Sequence, residues 1–153
     1  MSKTIHGDGH SLGTWSIVLL AWVVSLASIL GSLFFSEMLK LPPCSMCWYQ
    51  RIAMYPLGAT LALGFIYRDP SFLRYSSPLV LMGLVAAGYH NLLYYQILPH
   101  GISPCSGGVS CTEAQLEWFG FITIPLLSLS AFIGISILLW IFKKQIGADI
   151  EKE

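Results

Sequence analysis

The chain has 153 residues, of which 55% are hydrophobic and only 10% charged, and its mean hydropathy is +0.68. Soluble globular domains carry about a quarter charged residues, so this mixture excludes an ordinary aqueous fold and points to lipid as the solvent. Eight cations balance eight anions, which leaves no basic surplus for nucleic acid and makes the position of each charge the informative quantity.

Residues 1–14 are polar and glycine-containing, with Lys3, His6 and His10, and read as a loose tail. Trp15–Phe35 then runs for 21 residues without a charge, close to the ~20 that a helix needs to cross a bilayer core. A cleaved signal peptide is the competing reading, but the apolar run exceeds the usual ~7–15 residues, the preceding region is weakly basic and no Ala-x-Ala site follows.

Ser36–Pro43 is a short connection ending in Pro42-Pro43-Cys44-Ser45-Met46-Cys47-Trp48-Tyr49-Gln50-Arg51. Two prolines suit a helix start, because proline lacks only a donor that the first turn leaves unpaired. Cys44 and Cys47 then occupy that first turn. Positions i, i+3 and i+7 share a helical face, so Cys44, Cys47 and Arg51 line up on it. A helix N-terminus and a permanent cation both favour thiolate over thiol, and the thiolate is the species that exchanges sulfur. The stretch reads as a redox centre. A purely structural bridge explains the spacing poorly, since loop-entropy stabilisation is smallest for short loops.

The second helix runs to about Tyr67, where Arg68-Asp69-Pro70 stops it, and Pro56 predicts a kink within it. Arg68–Ser77 reads as a basic loop. A third span covers about 78–98, interrupted by His90 and Asn91; Pro99–Glu117 is a long Gly/Ser/Pro-rich connection holding Cys105 and Cys111; a fourth span covers about 118–142, followed by Lys143, Lys144 and a charged tail over 143–153. The expected fold is therefore all-α, an integral membrane four-helix bundle with spans of about 15–35, 47–67, 78–98 and 118–142.

Four spans bring both termini to one side. That side carries Lys3, Arg68, Arg74, Lys143, Lys144 and Lys152, against Lys40 and Arg51 on the other. The positive-inside rule makes the six-cation side cytoplasmic, so both cysteine pairs face outward, where disulfides persist. Trp15, Tyr67 and Trp140 then mark the inner boundary, and Trp48, Tyr94, Tyr95 and Trp118 the outer. His6 and His10, at a metal-friendly spacing, lie in a tail on the face opposite the cysteines and carry no site.

Each chemical candidate has a plainer alternative. Four thiolates from two loops would make a Cys₄ zinc site, but the second pair is spaced by five residues and an oxidising face works against free thiolates, so no metal is expected. Cys105 and Cys111 bracket Ser-Gly-Gly-Val-Ser, a flexible segment that suits an exposed disulfide for exchange with another protein; a static bridge closing the loop is the alternative. Arg51, near membrane level, is a ligand candidate against simple snorkelling to headgroups. His90, in the outer half of the bilayer, is a hydrogen-bond or proton donor to a bound carbonyl compound, against an ordinary interhelical hydrogen bond. Trp48 reads as an interface anchor or a ligand wall.

Four spans, the Cys-x-x-Cys with Arg51 four residues on, a cysteine pair between the third and fourth spans, and Trp118-Phe119-Gly120-Phe121 leading to Pro125 resemble the DsbB family of membrane thiol:quinone oxidoreductases. Gly31–Glu37, Cys44–Pro56 and Trp118–Pro125 look like its Gram-positive, BdbC-type branch. The resemblance implies a disulfide-generating enzyme of the bacterial cytoplasmic membrane. A reduced thioredoxin-like partner would attack a Cys105/Cys111 disulfide at Cys105, Cys111 would exchange with Cys44, and Cys47 beside Arg51 would pass electrons to a quinone of the menaquinone or ubiquinone type. His90 and Trp48 join Arg51 as the implied quinone contacts. Enteric-type members have a much longer segment between the second cysteines, and carry an acid where Gln50 stands here. Vitamin-K-epoxide-reductase-like proteins perform related chemistry, but their loop pair precedes the Cys-x-x-Cys, the reverse of the order here. A non-catalytic membrane scaffold or metal-binding protein with structural cysteines is the alternative from another class.

Overall fold

The computed structural model describes residues 12–40, 42–97, 117–118 and 122–150. Four helices make up nearly all of this: α1 (Leu12–Glu37), α2 (Ser45–Tyr67), α3 (Phe72–Tyr94) and α4 (Ile124–Ile150). A minimal antiparallel ribbon, β1 (Glu117–Trp118) and β2 (Ile122–Thr123), precedes α4, with Glu117 opposite Thr123 and Trp118 opposite Ile122. The helices pack in a ring in which α1 touches α2 and α4, and α3 touches α2 and α4. Sequence neighbours run antiparallel, the first three helices through short connections, so the C-terminal end of α1 meets the start of α2, and the end of α3 meets the start of α4.

The helix ends have local causes. Lys40 turns left-handed (φ 56°) after α1, and the Met38 and Leu39 amides both donate to the Phe34 carbonyl. Arg68 (φ 49°) ends α2, and Asp69 Oδ1 accepts from the Ser71 amide at 2.9 Å in an Asx turn that starts α3. Helix α2 continues unbroken through Pro56.

Helix α3 begins six residues before the span expected from 78. Phe72 and Ser76 are buried in this extra turn and a half, and Ser76 pairs with Thr60 at 3.0 Å; the exposed Arg74 and Tyr75 between them make the segment look like a loop in sequence. At its other end α3 stops at Tyr94, short of the expected 98. Gln96 (φ 55°) closes a Schellman turn, its amide bonding Leu93 O while that of Ile97 bonds Leu92 O. The fourth span was expected from 118, whereas helix begins at Ile124: Trp118 and Ile122 pair in the ribbon, and Thr123 caps the helix by accepting from the Leu126 amide at 3.4 Å.

The core has two poles. At one, Trp15 and Phe72 both pack on Phe142, with ring centroids 5.2 and 5.5 Å apart. Gly64 admits the Phe72 ring, and Gly83 admits Phe132, since a Cβ on either glycine would fall onto the aromatic ring. At the other pole lie the polar and sulfur side chains.

Large apolar residues such as Leu30, Ile66, Leu81, Val85 and Ile137 are exposed on the outside of every helix. A protein in water would bury them, so the bundle's solvent is hydrocarbon. Gly13–Glu37 and Ile124–Ala148 are each long and apolar enough to cross a membrane. At about 1.5 Å per residue, the 23 residues of α2 and of α3 also match a ~30 Å core.

Candidate functional site

Cys44 is the N-cap of α2, in extended conformation (φ −69°, ψ 167°), and its sulfur accepts from the Cys47 amide at 3.3 Å. Sulfur thus takes the place that a Ser or Asp oxygen fills at most N-termini. The same geometry brings the two Sγ atoms to 2.7 Å, so little movement separates a dithiol from a disulfide.

The two sulfurs look in different directions. Cys44 is 5% exposed and meets His90 Nε2 at 3.7 Å, while Cys47 is half-buried and lines a cavity. Cys44 lies in the turn ahead of the span. Its pKa falls to about 4, chiefly through the hydrogen bond with Cys47 and further through His90, against burial, which pushes it up.

His90, 3% exposed on the last turns of α3, is held from behind: its Nδ1 lies 3.1 Å from Gln50 Nε2. An amide N–H only donates, so in this arrangement Nδ1 accepts and the ring proton sits on Nε2, aimed at Cys44. Next to His90, Asn91 donates from Nδ2 to Ala87 O at 2.8 Å and to Pro125 O at 2.9 Å, joining α3 to the start of α4.

Arg51 reaches across to α1. Its Nε donates to Ser32 Oγ at 2.8 Å, and one terminal nitrogen donates to Ser32 O at 2.7 Å and Ser36 Oγ at 3.0 Å. Helix α1 has no basic residue in its own last turn, so Arg51 supplies the cation its C-terminal dipole favours. The guanidinium also lies 5.5 Å from the centroid of the Trp48 ring, which is otherwise largely exposed.

A cavity of about 620 Å³ opens between α1, α2 and α4 at this pole. Its walls are mostly apolar, among them Val24, Phe35, Met54 and Leu127, and its polar rim includes Cys47, Gln50, Arg51 and Ser32. That volume and that mixture are those of a small-molecule site. A reactive sulfur, a fixed cation and an apolar chamber therefore share one wall.

Of the residues singled out in sequence, Cys44, Cys47, Arg51, His90 and Trp48 come together here. Cys47 and Arg51 border the cavity, whereas His90 attends Cys44 and Trp48 stacks on Arg51. Cys105 and Cys111 lie outside the described residues. Sequence reasoning passed over Gln50 as a partner of His90, and Ser32 and Ser36 as partners of Arg51; the i, i+4 spacing of the two serines was the available signal.

The arrangement supports thiol–disulfide chemistry, and comparison with known proteins agrees. The family model described as disulfide bond formation protein DsbB matches residues 14–142. A probable disulfide formation protein C 2 of Bacillus cereus (strain ATCC 10987 / NRS 248) is 46% identical over 125 residues, 81% of this chain and 88% of the relative. A probable disulfide formation protein of Metapseudomonas resinovorans is 41% identical over 133 residues, 86% and 92% of the two chains. The disulfide bond formation protein C of Bacillus subtilis (strain 168) is 45% identical over 127 residues, 82% and 91%. No solved structure matches. With a paired Cys-x-x-Cys at the end of a lipid-facing helical bundle and a match over most of its length, this chain belongs to the DsbB family of membrane disulfide bond formation proteins.

Proposed function

We propose that the protein is a thiol:quinone oxidoreductase that reoxidises an extracytoplasmic thioredoxin-like thiol oxidase and delivers the electrons to a membrane quinone. One observation carries this reading: Cys47 and Arg51 border a largely apolar cavity while Cys44 stays in contact with Cys47. The residues fit a quinone in kind, with apolar walls for ring and tail and Arg51 as a donor for a carbonyl oxygen.

The relay runs through sulfur. The reduced partner attacks the Cys105–Cys111 disulfide at Cys105 and leaves oxidised, which gives the Cys105/Cys111 dithiol. Cys111 thiolate attacks Cys44, the Cys44–Cys47 bond breaks and Cys47 leaves as thiolate beside the cavity. Cys105 then attacks Cys111, which frees Cys44 and restores the Cys105–Cys111 bond. The Cys44–Cys47 disulfide then re-forms, and a quinone held between Arg51 and the apolar walls would supply the two-electron, two-proton acceptor. Arg51 orients the acceptor and offsets negative charge at the cavity wall; Trp48 holds the guanidinium; His90, with Gln50 behind it, steadies charge on Cys44. A strong acceptor is required, since about 30 mV is ~1.4 kcal/mol for a two-electron couple and the product disulfide is itself an oxidant.

In the same reading the bundle sits in the bacterial cytoplasmic membrane with residues 1–14, the 68–71 turn and residues 143–153 on the cytoplasmic side and all four cysteines outside. The distribution of lysine and arginine supports this orientation. Purified protein mixed with a quinone and a reduced thioredoxin-like dithiol is expected to bleach the quinone absorbance in proportion to dithiol oxidised. Unchanged absorbance with the intact protein removes the assignment.

A further inference from the structure

We infer that the reduced protein holds a three-donor site for a soft divalent cation of the Zn²⁺ type, made by Cys44 Sγ, Cys47 Sγ and His90 Nε2, and that occupancy arrests the dithiol. The three donor atoms lie within 4.8 Å of one another, two on the first turn of α2 and one from α3. Two thiolates spaced C-x₂-C with one imidazole are a donor set that zinc prefers.

The geometry needs little change. With Zn–S near 2.3 Å and Zn–N near 2.0–2.1 Å, a tetrahedral ion sets its donors about 3.5–3.8 Å apart. Cys44 Sγ and His90 Nε2 already stand at 3.7 Å, and the sulfurs have to part from 2.7 Å by about 1 Å. Burial of Cys44 and His90 fixes both donors, while Cys47, at the cavity wall, leaves an approach and an open fourth position.

Gln50 completes the site. For Nε2 to give its lone pair to a cation, the ring proton must move to Nδ1 and find an acceptor there. A half-turn of the Gln50 amide presents Oε1 to Nδ1 at the present 3.1 Å contact, the outer-shell support that ligating histidines commonly have.

Binding moves no electrons. Two Zn–S bonds and one Zn–N bond form: Cys44 enters as its thiolate, Cys47 gives its thiol proton to solvent, and the imidazole proton passes from Nε2 to Nδ1. The disulfide form has no thiolate to offer, so the site exists only in the reduced state. Its effect on turnover rests on the thiol-to-quinone reading above; the binding itself does not.

The test uses chelator-stripped Cys105→Ser/Cys111→Ser protein, reduced with a phosphine that is then removed under nitrogen, and titrated with Zn²⁺ against a chromophoric chelator. One Zn²⁺ per reduced chain is expected, with none in the oxidised form. His90→Ala is expected to weaken binding at least about tenfold, and Gln50→Leu by about 10-fold or more, with helix content by circular dichroism unchanged. Co²⁺ in place of Zn²⁺ is expected to give a thiolate-to-metal charge-transfer band that Cys44→Ser weakens by about half or more and Cys44→Ser/Cys47→Ser removes. Equal binding by the oxidised form, no stoichiometric binding when reduced, or an unchanged affinity in His90→Ala overturns the site. An inert quinone assay with Zn²⁺ binding intact counts against the proposed function alone.

Discussion

His90 Nε2 lies 3.7 Å from Cys44 Sγ, although the two residues are 46 positions apart and on different helices. The contact divides the labour of the cysteine pair: one sulfur is tended by an imidazole in the protein interior, and the other faces the chamber between α1, α2 and α4. In the proposed relay, ionisation and electron delivery fall to separate atoms 2.7 Å apart.

The first prediction concerns that ionisation. Because the Cys44 pKa lies at about 4, chelator-treated reduced protein should keep one thiolate as pH falls from 9 through neutrality, and lose it only as pH approaches about 4. Thiolate absorbance near 240 nm, compared with Cys44→Ser, measures this. His90→Phe removes a hydrogen bond to the thiolate, so its midpoint should move upward.

Cys47→Ser should reduce quinone turnover to background with any electron donor. Cys105→Ser should block oxidation of the protein partner while a small dithiol, which reaches the Cys44–Cys47 bond directly, still drives the quinone. Normal partner oxidation by Cys105→Ser would reverse the order of the relay.

Arg51→Ala should raise the apparent Michaelis constant for quinone about 10- to 100-fold, the equivalent of one lost charged hydrogen bond of ~1.5–3 kcal/mol. Arg51→Lys should recover little of this, because an ammonium cannot span Ser32 Oγ, Ser32 O and Ser36 Oγ as the planar fork does. Steady-state kinetics at saturating dithiol give the constant, and an unchanged value makes Arg51 a brace for α1 only.

Packing gives an internal comparison on α3. Gly83→Ala should destabilise by about 1–3 kcal/mol, since its methyl would fall onto the Phe132 ring and force it to shift. Gly88→Ala meets nothing within 4 Å and should be neutral or stabilising by up to about 1 kcal/mol from helix propensity. Thermal unfolding in detergent separates the two.

Orientation is checked by Ser71→Cys and Ser103→Cys labelled in whole cells with an impermeant reagent. Ser103→Cys should react and Ser71→Cys should not; the opposite pattern inverts the topology.

The Cys-x-x-Cys and Arg51 were legible because everything that makes them chemical lies within two helical turns of one another. His90 was legible only as a polar residue in a span. Its partner depends on how α3 is rotated against α2, and in a bundle with apolar residues both inside and outside, periodicity does not report that rotation. Ser32 and Ser36 were hidden for a related reason: short hydroxyls bond their own helix and pass for ordinary span residues. The end of α3 was misplaced because Gln96, not glycine, takes the left-handed position. The ribbon before α4 was missed because apolar residues such as Trp118 and Ile122 carry the same hydropathy in a strand as in a helix.

Trp15, Phe72 and Phe142 weld three helices at the pole remote from the sulfurs, with Gly64 of α2 admitting the Phe72 ring, whereas the sulfur pole is hollow. Packing is therefore densest at one extremity and loosest at the other, the end where local opening costs least. A molecule seated there would share its walls with α1, α2 and α4 at the end of the bundle that carries the sulfurs.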